Sequence, residues 1–288
     1  MHPSSTRPLL LETKRTLREW VVREKRGGKT IGLVPTMGYL HEGHASLMRR
    51  ARSENDRVVV SIYVNPLQFG PSEDFAAYPR DLAGDLDLCA GAGVDAVFHT
   101  SDDQMYAPDF STYVIPDALA SNLCGASRPG HFRGVCTVVA KLFNLASPDR
   151  AYFGQKDCQQ VAVLARLARD LDFPLEFVVC PTVREPDGLA MSSRNKYLSP
   201  AERETALVLW RSLALARDLV KRGESDAAQI QGAMRALYEG KPGLRTDYIE
   251  LVDPGSLAPV SRIAGKTLVA VAAFVGKTRL IDNEFVAP

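Results

Sequence analysis

No C-x-x-C spacing occurs among the five cysteines, Cys89, Cys124, Cys136, Cys158 and Cys180. An odd number of scattered thiols fits reduced cysteine better than a disulfide framework or a zinc site. An excess of charge of one sign is also missing. Thirty-five Lys and Arg stand against 34 Asp and Glu, a formal charge of +1, so there is no global electrostatic case for a nucleic-acid or membrane partner. The N-terminal MHPSSTRPLLLETKRTLREW holds only a three-leucine run followed by charge, and is expected to be neither a signal peptide nor a membrane span. A cytoplasmic protein is the resulting expectation. No internal repeat or low-complexity tract is found, and there is no G-x-G-x-x-G to argue for a dinucleotide enzyme. Two GKT tripeptides, at Gly265 and Gly276, lack the glycine that a P-loop needs five positions earlier, where Val260 and Val271 stand. They also lie beside late strands rather than between strand and helix, which excludes the P-loop reading.

What is present is an ordinary globular composition, 288 residues with 45% hydrophobic and 24% charged side chains, enough to bury a core. Residues 1–8 are expected to be frayed, and a helix is read over Glu12–Lys25 with Leu17, Trp20 and Val21 inward. Short apolar runs at Thr30–Pro35, Val58–Val64, Ala96–His99, Ala151–Phe153 and Leu175–Cys180 alternate with helical patterns at Glu42–Asn55, Asp81–Ala92, Val135–Ala146 and Lys156–Asp170. Continuous apolar runs mark strands buried on both faces, and the alternation argues for an α/β, Rossmann-like, doubly wound parallel sheet. From Pro181 the pattern changes. Two amphipathic helices, Pro200–Lys221 and Ser225–Gly240, precede strands at Asp247–Val252 and Thr267–Val275 and an apolar stretch near Leu280, as in a small α+β domain. The expected domains are 1–184 and 185–288.

The stretch TIGLVPTMGYLHEGHASLMR, residues 30–49, reads as strand, tight turn and helix. His41 and His44 lie three apart at the helix start, on one face, where free N–H groups and the positive dipole end already favour an anion. HEGH is one residue too short for the H-E-x-x-H zinc-protease pattern. A second candidate, GQKDCQQ at 154–160, follows a strand and opens a helix. Its Lys156 is placed to reach a phosphate, and Gln159 and Gln160 offer amide groups to a polar substrate. A third, GLAMSSRN at 188–195, gathers two hydroxyls, backbone N–H groups and a guanidinium in one loop, which suits a polyphosphate gaining charge as pyrophosphate leaves.

M-G-x-L-H-E-G-H after a strand resembles the HIGH signature of nucleotidyltransferases that activate a carboxylate with ATP, and MSSRN resembles their KMSKS-type loop. The two occur in the expected order, about 150 residues apart. With VNPLQFGPSEDFAAYPRD and RPGHFRGV between them, nearly the whole chain is similar to the pantothenate synthetase (pantoate–β-alanine ligase) family. That resemblance implies the condensation of (R)-pantoate with β-alanine through a pantoyl adenylate, giving pantothenate, AMP and pyrophosphate, with ATP as substrate, Mg²⁺ required and a homodimer as the assembly.

Carried over position by position, it implies catalytic roles for His41, His44, Lys156, Ser192, Ser193 and Arg194. These residues would contact ATP together with Pro35, Thr36, Met37, Gly38, Gly154, Asp157, Val183 and Met191. Gln68, Gln160, Met37, Arg128 and His131 would hold pantoate or β-alanine, and Asp85 would help hold magnesium. Pantoate supplies its own carboxylate nucleophile, so positioning and charge neutralisation suffice and no triad is needed. No general base for β-alanine is evident. Tyr39, Gly84 and Cys158 depart from the family pattern, where small, acidic and aromatic residues are usual. Cys158 is expected to be structural. Other readings are a different adenylyl- or cytidylyltransferase, an aminoacyl-tRNA synthetase fragment, or a non-catalytic nucleotide-binding protein of the same fold. The near-neutral charge argues against the synthetase, and the full set of phosphate-neutralising groups argues against mere binding.

Overall fold

The computed structural model describes residues 7–71 and 73–288, so most of the stretch expected to be frayed lies outside the described residues. The chain divides into two units. The first comprises residues up to Asp117, Arg128–Gly154 and Val163–Cys180; the second comprises Ala118–Ser127, Gln155–Ala162 and Pro181–Pro288.

The first unit is built on six parallel strands in the order β1-β4-β3-β2-β5-β6. In chain order these are β1 (Leu9–Leu11), α1 (Lys14–Arg26), β2 (Ile31–Thr36), α2 (Glu42–Glu54), β3 (Arg57–Ile62), α3 (Leu82–Gly91), β4 (Ala96–His99), the short α4 (Asp102–Met105), and α5 (Leu123–Ser127) of the second unit. Then follow α6 (His131–Ala146), β5 (Arg150–Gly154), α7 (Cys158–Asp170) and β6 (Glu176–Cys180). The alternation read from the sequence is reproduced with one addition: Leu9–Leu11 forms an edge strand against β4. Three leucines are too short a run to show a period, and only the neighbouring strand makes them β.

Alternate residues of the central strands serve different layers, as a two-residue repeat requires. Val34, Val58, Val60 and Ile62 pack with Leu47, Met48 and Ala51 of α2 and Leu86 and Cys89 of α3. Phe153 meets Phe143 of α6 and stacks on Phe177. β2 has β3 on one side and β5 on the other, so the order of connection reverses there, and a ligand crevice is expected at its carboxyl end.

In the second unit, α8 (Pro200–Lys221) starts on a capping box in which Ser199 and Glu202 bond each other's backbone N–H, with Pro200 at the first helical position. It is followed by α9 (Ala227–Ala236) and an antiparallel meander of β7 (Leu244–Val252), β8 (Thr267–Val275) and β9 (Thr278–Val286). Leu209, Leu213 and Ile230 pack with Val269, Val271 and Ala273 to form its core. Gly276-Lys277-Thr278 makes the β8–β9 turn, with Gly276 at φ +56°. That is a hairpin tip and not a phosphate cradle.

Among the described residues, no helix is long and apolar enough to cross a membrane.

One buried bond set ties α2 to the sheet. The fully buried Tyr152 hydroxyl donates to Glu54 Oε2 at 2.9 Å and accepts from Asn55 Nδ2 at 2.7 Å. Tyr152→Phe is expected to cost about 1–2 kcal/mol by leaving those partners under-satisfied. Urea unfolding that is unchanged from the parent would show that the bonds do not carry this load.

Candidate active site

The turn after β2 is held by a carboxylate. Gly38 (φ +84°) and Tyr39 (φ +51°) are both left-handed, and a Cβ on Gly38 would fall 2.9 Å from Ile62 Cγ2 and 3.0 Å from Asp85 Oδ2. Only glycine fits both the angle and the space. Asp85, 3% exposed in α3, accepts the backbone N–H of Tyr39 at 2.9 Å and of Leu40 at 2.6 Å. Thr36 Oγ1 donates to Ser61 O and accepts from Gly38 N, closing the turn onto β3. Tyr39, the departure noted in sequence, is half-buried here and holds its left-handed backbone with its N–H on Asp85.

The turn delivers His41 as N-cap of α2. His41 Nδ1 accepts the Gly43 N–H at 3.2 Å, and His44 Nδ1 accepts the His41 N–H at 3.3 Å. The ring centroids are 4.1 Å apart. An acceptor Nδ1 places the proton of a neutral ring on Nε2, so both imidazoles cap the helix with one nitrogen and carry their proton on the other. Pro35, Thr36, Met37, Gly38, His41 and His44 are thereby gathered at the carboxyl end of β2, the reversal point of the sheet.

The pantoate candidates of this unit form a second knot. Gln68 lies in a 3-10 turn (Pro66–Gln68), its Nε2 3.0 Å from Met37 Sδ and its Oε1 accepting from Asn65 Nδ2 at 3.1 Å. Asn65 is buried, bonded also to Gly134 O and by the Tyr106 hydroxyl. Gln68 O lies 2.8 Å from His131 Nδ1 and accepts from Arg128 Nη2 at 3.3 Å. Arg128 is engaged further by Glu73, at 2.6 and 2.5 Å, and lies 3.1 Å from His131 Nε2. Sequence reasoning missed Asn65 and Glu73. The signal for Asn65 was a polar residue ending an apolar strand before proline; Glu73 had none.

A cavity of about 380 Å³ opens at the carboxyl ends of β2, β3 and β4, lined among others by Met37, Gly38, Arg80, Asp85, His99 and Asp102. Asp85, expected to help hold magnesium, is committed to the turn: it is buried, and each of its oxygens accepts a backbone N–H group. Burial raises its pKa, only partly opposed by the two N–H bonds. Gly84, the second departure from the family pattern, sits inside the α3 cap and donates its N–H to Asp81.

In the second unit, Gln155–Asp157 forms a 3-10 turn leading into α7, one residue past Gly154 at the end of β5. Lys156 is 21% exposed at its side chain, with Asp157 Oδ1 3.9 Å away. Gln160 is half-buried. Gln159, expected to offer its amide to substrate, is instead buried, and its Nε2 donates to Leu119 O, Asn122 O and Asn122 Oδ1. It tethers 118–127 through Leu119 and Asn122. Cys158 is buried and its thiol is pushed up by burial, in keeping with a structural role. The third segment is the return arm of a small hairpin. Met191 N donates to Val183 O at 3.0 Å, and Arg184 bridges Ala190. Ser192 caps the following 3-10 turn (Ser193–Tyr197) by accepting the Arg194 N–H, and Ser193 is buried.

Two outcomes follow from these contacts. Asp85→Ala is expected to lose about 1–3 kcal/mol of stability, since two half-buried residues lose a charged acceptor for their N–H groups; equal unfolding midpoints would refute the anchoring role. Burial would raise the Glu73 carboxyl, but the bonds and charge of Arg128 outweigh it and hold it below the ordinary range. A depressed carboxylate stabilises fully above its unfolded value, about 4.3, and that contribution is lost as pH falls through the lower folded value. Glu73→Gln should therefore melt below the parent at neutral pH and converge with it in acid, and a gap that stays constant down to about pH 3 would contradict the pairing.

The family model described as pantoate-beta-alanine ligase matches residues 9–285. Pantothenate synthetases of Moorella thermoacetica and Thermotoga neapolitana are each 57% identical over 274 residues, covering 95% of this chain and 97% and 98% of theirs. The crystal structure of pantothenate synthetase from Thermus thermophilus superposes with a TM-score of 0.92 at 48% identity, over 97% of this chain and all of that one. That of the Francisella tularensis pantoate-beta-alanine ligase, complexed with beta-gamma ATP and beta-alanine, gives 0.79 at 33%, covering 96% and 97%. With the match running through both units and every motif described above, the chain belongs to the pantoate–β-alanine ligase family.

Proposed function

We propose that the residues gathered in each unit divide the work of a two-step ligation. As a family member the protein is an enzyme that joins pantoate to β-alanine with cleavage of ATP. In the first step a pantoate carboxylate oxygen attacks the α-phosphorus, the bond to the β-phosphate oxygen breaks, and pyrophosphate leaves. In the second, the neutral amine of β-alanine attacks the acyl carbon, AMP departs with the electron pair of the broken acyl–oxygen bond, and the nitrogen releases its extra proton to the departing phosphate or to solvent. Neither step asks the protein for a nucleophile.

The observation that carries this reading is the histidine pair. Two Nε2–H donors fixed at a helix N-terminus by their own capping bonds need no reorganisation as charge builds on the phosphates. Lys156, Ser192, Ser193 and Arg194 are assigned to the phosphates, with Gly154, Asp157, Val183 and Met191 shaping the backbone around them. Gln68, Gln160 and Met37 are assigned to the pantoate hydroxyl and carboxylate groups. Arg128 and His131 act at the same substrate mainly by holding the Gln68 backbone, since Arg128 already carries Glu73. Mg²⁺ is proposed to arrive on the ATP phosphates, which supply the hard oxygen ligands it prefers, and Asp85 is not assigned to it. The five buried free thiols suit a reducing cytoplasm. Homodimeric assembly is proposed from the family alone, with no nucleic-acid or membrane partner.

His44→Ala is expected to slow single-turnover adenylate formation by about 10²–10³ with folding intact. Pyrophosphate release should require pantoate and become sustained turnover only when β-alanine is added. A variant within a few-fold of the parent would remove the histidines from the mechanism, and equal release with unrelated hydroxy acids would remove pantoate as the substrate.

A further inference from the structure

Two polar residues stand side by side in the middle of β9, and both are 3% exposed: Asp282 and Asn283. Neither belongs to the segments assigned above. Neighbouring residues in a strand point to opposite faces, and these two reach different segments of the second unit. Asn283 Nδ2 donates to Gln155 O at 3.0 Å and to Lys156 O at 2.9 Å, while its Oδ1 accepts from Gln155 Nε2 at 3.0 Å. The amide is fully used, and it fixes the two peptide carbonyls that flank the Lys156 Cα.

Asp282 forms a two-pronged pair with Arg184, at 2.6 and 3.0 Å, and also accepts the Asn283 N–H at 2.8 Å. Arg184 donates in turn to Gly188 O at 3.2 Å and lies 3.9 Å over the Trp210 ring. A Cβ on Gly188 (φ +97°) would sit 2.2 Å from Trp210 Cδ1, so the hairpin tip is seated against that ring. One continuous chain thus runs from Lys156 through Asn283, Asp282 and Arg184 to the hairpin that carries Met191–Arg194. Burying an ion pair adds little net stability over apolar side chains of equal volume, and what it supplies is direction.

We propose that Asp282 and Asn283 are positioning residues that fix Lys156 and the Met191–Arg194 loop relative to each other for phosphate binding. This rests on the phosphate roles assigned to those two segments. The test combines Asn283→Ala, Lys156→Ala and the double variant, read as single-turnover pyrophosphate release with ATP and pantoate and as thermal melting. Asn283→Ala should slow release by about tenfold or more in the parent and by less than about twofold in the Lys156→Ala background, because it acts through Lys156. If Lys156→Ala itself releases pyrophosphate at the parental rate, the phosphate assignment fails and the relay with it. If Lys156→Ala is slow but the Asn283 effect is absent, or multiplies fully in the double variant, the relay alone fails. Asp282→Asn keeps the shape and an acceptor for the Asn283 N–H while removing the charge. It should raise the KM for ATP and speed amide exchange over 188–195 with β7–β9 exchange unchanged, and parental values of both would overturn the Arg184 arm even where Asn283→Ala does not fold.

Discussion

A single buried carboxylate sets the geometry on which the first unit's chemistry depends. Asp85 holds two backbone N–H groups of a left-handed turn, and that turn determines where α2 begins and therefore where His41 and His44 stand. Left-handed backbone at a non-glycine residue costs free energy, and it persists because the surroundings over-determine it. Without the carboxylate the N–H groups of Tyr39 and Leu40 would lose the buried charged acceptor that holds them in this conformation. The sheet contributes the rest: its order of connection reverses at β2, leaving the turn at the end of a strand whose flanking connections run to opposite sides.

The second unit solves the same problem with a different device. There the backbone to be fixed belongs to a 3-10 turn and a small hairpin, and side chains of β9 hold both. Gln159 shows how the local sequence can mislead. A glutamine in the first turn of a helix reads as a substrate contact, yet its amide spans from α7 to the carbonyls of Leu119 and Asn122. The neighbouring Gln160 is left as the amide assigned to pantoate. In both units polar groups outside the assigned set fix the direction of those assigned to substrate, the preorganisation that a site without a nucleophile needs.

Much of the fold was legible in the chain because it rests on local rules. Buried parallel strands are continuous apolar runs, and the helices between them carry a 3.6-residue period, so nearly every element of the six-stranded sheet could be read, as could α8 and β8 to the residue. Leu9–Leu11 could not, since three residues have no period and acquire β structure only by pairing with β4. The division of the chain was only partly legible. Pro181 marked the change of composition, but nothing local shows that 118–127 and 155–162 group with the C-terminal residues.

The order of the motifs along the chain was enough to point to the chemistry through their resemblance to the pantoate–β-alanine ligase family: the histidines at a helix start, the two phosphate signatures in sequence, and a reactive set without a triad. Those are properties of separation along the chain, which no packing can alter. Tertiary structure decided which polar groups are taken up internally and which remain to act. Asp85 became a turn anchor, Arg128 was paired with Glu73, and Asp282 and Asn283 were drawn to the Lys156 turn and the Arg184 hairpin. The reason is that a buried hydrogen-bonding group must find a partner wherever the fold brings one, and partners 46, 55 or 127 residues away leave no trace in local pattern.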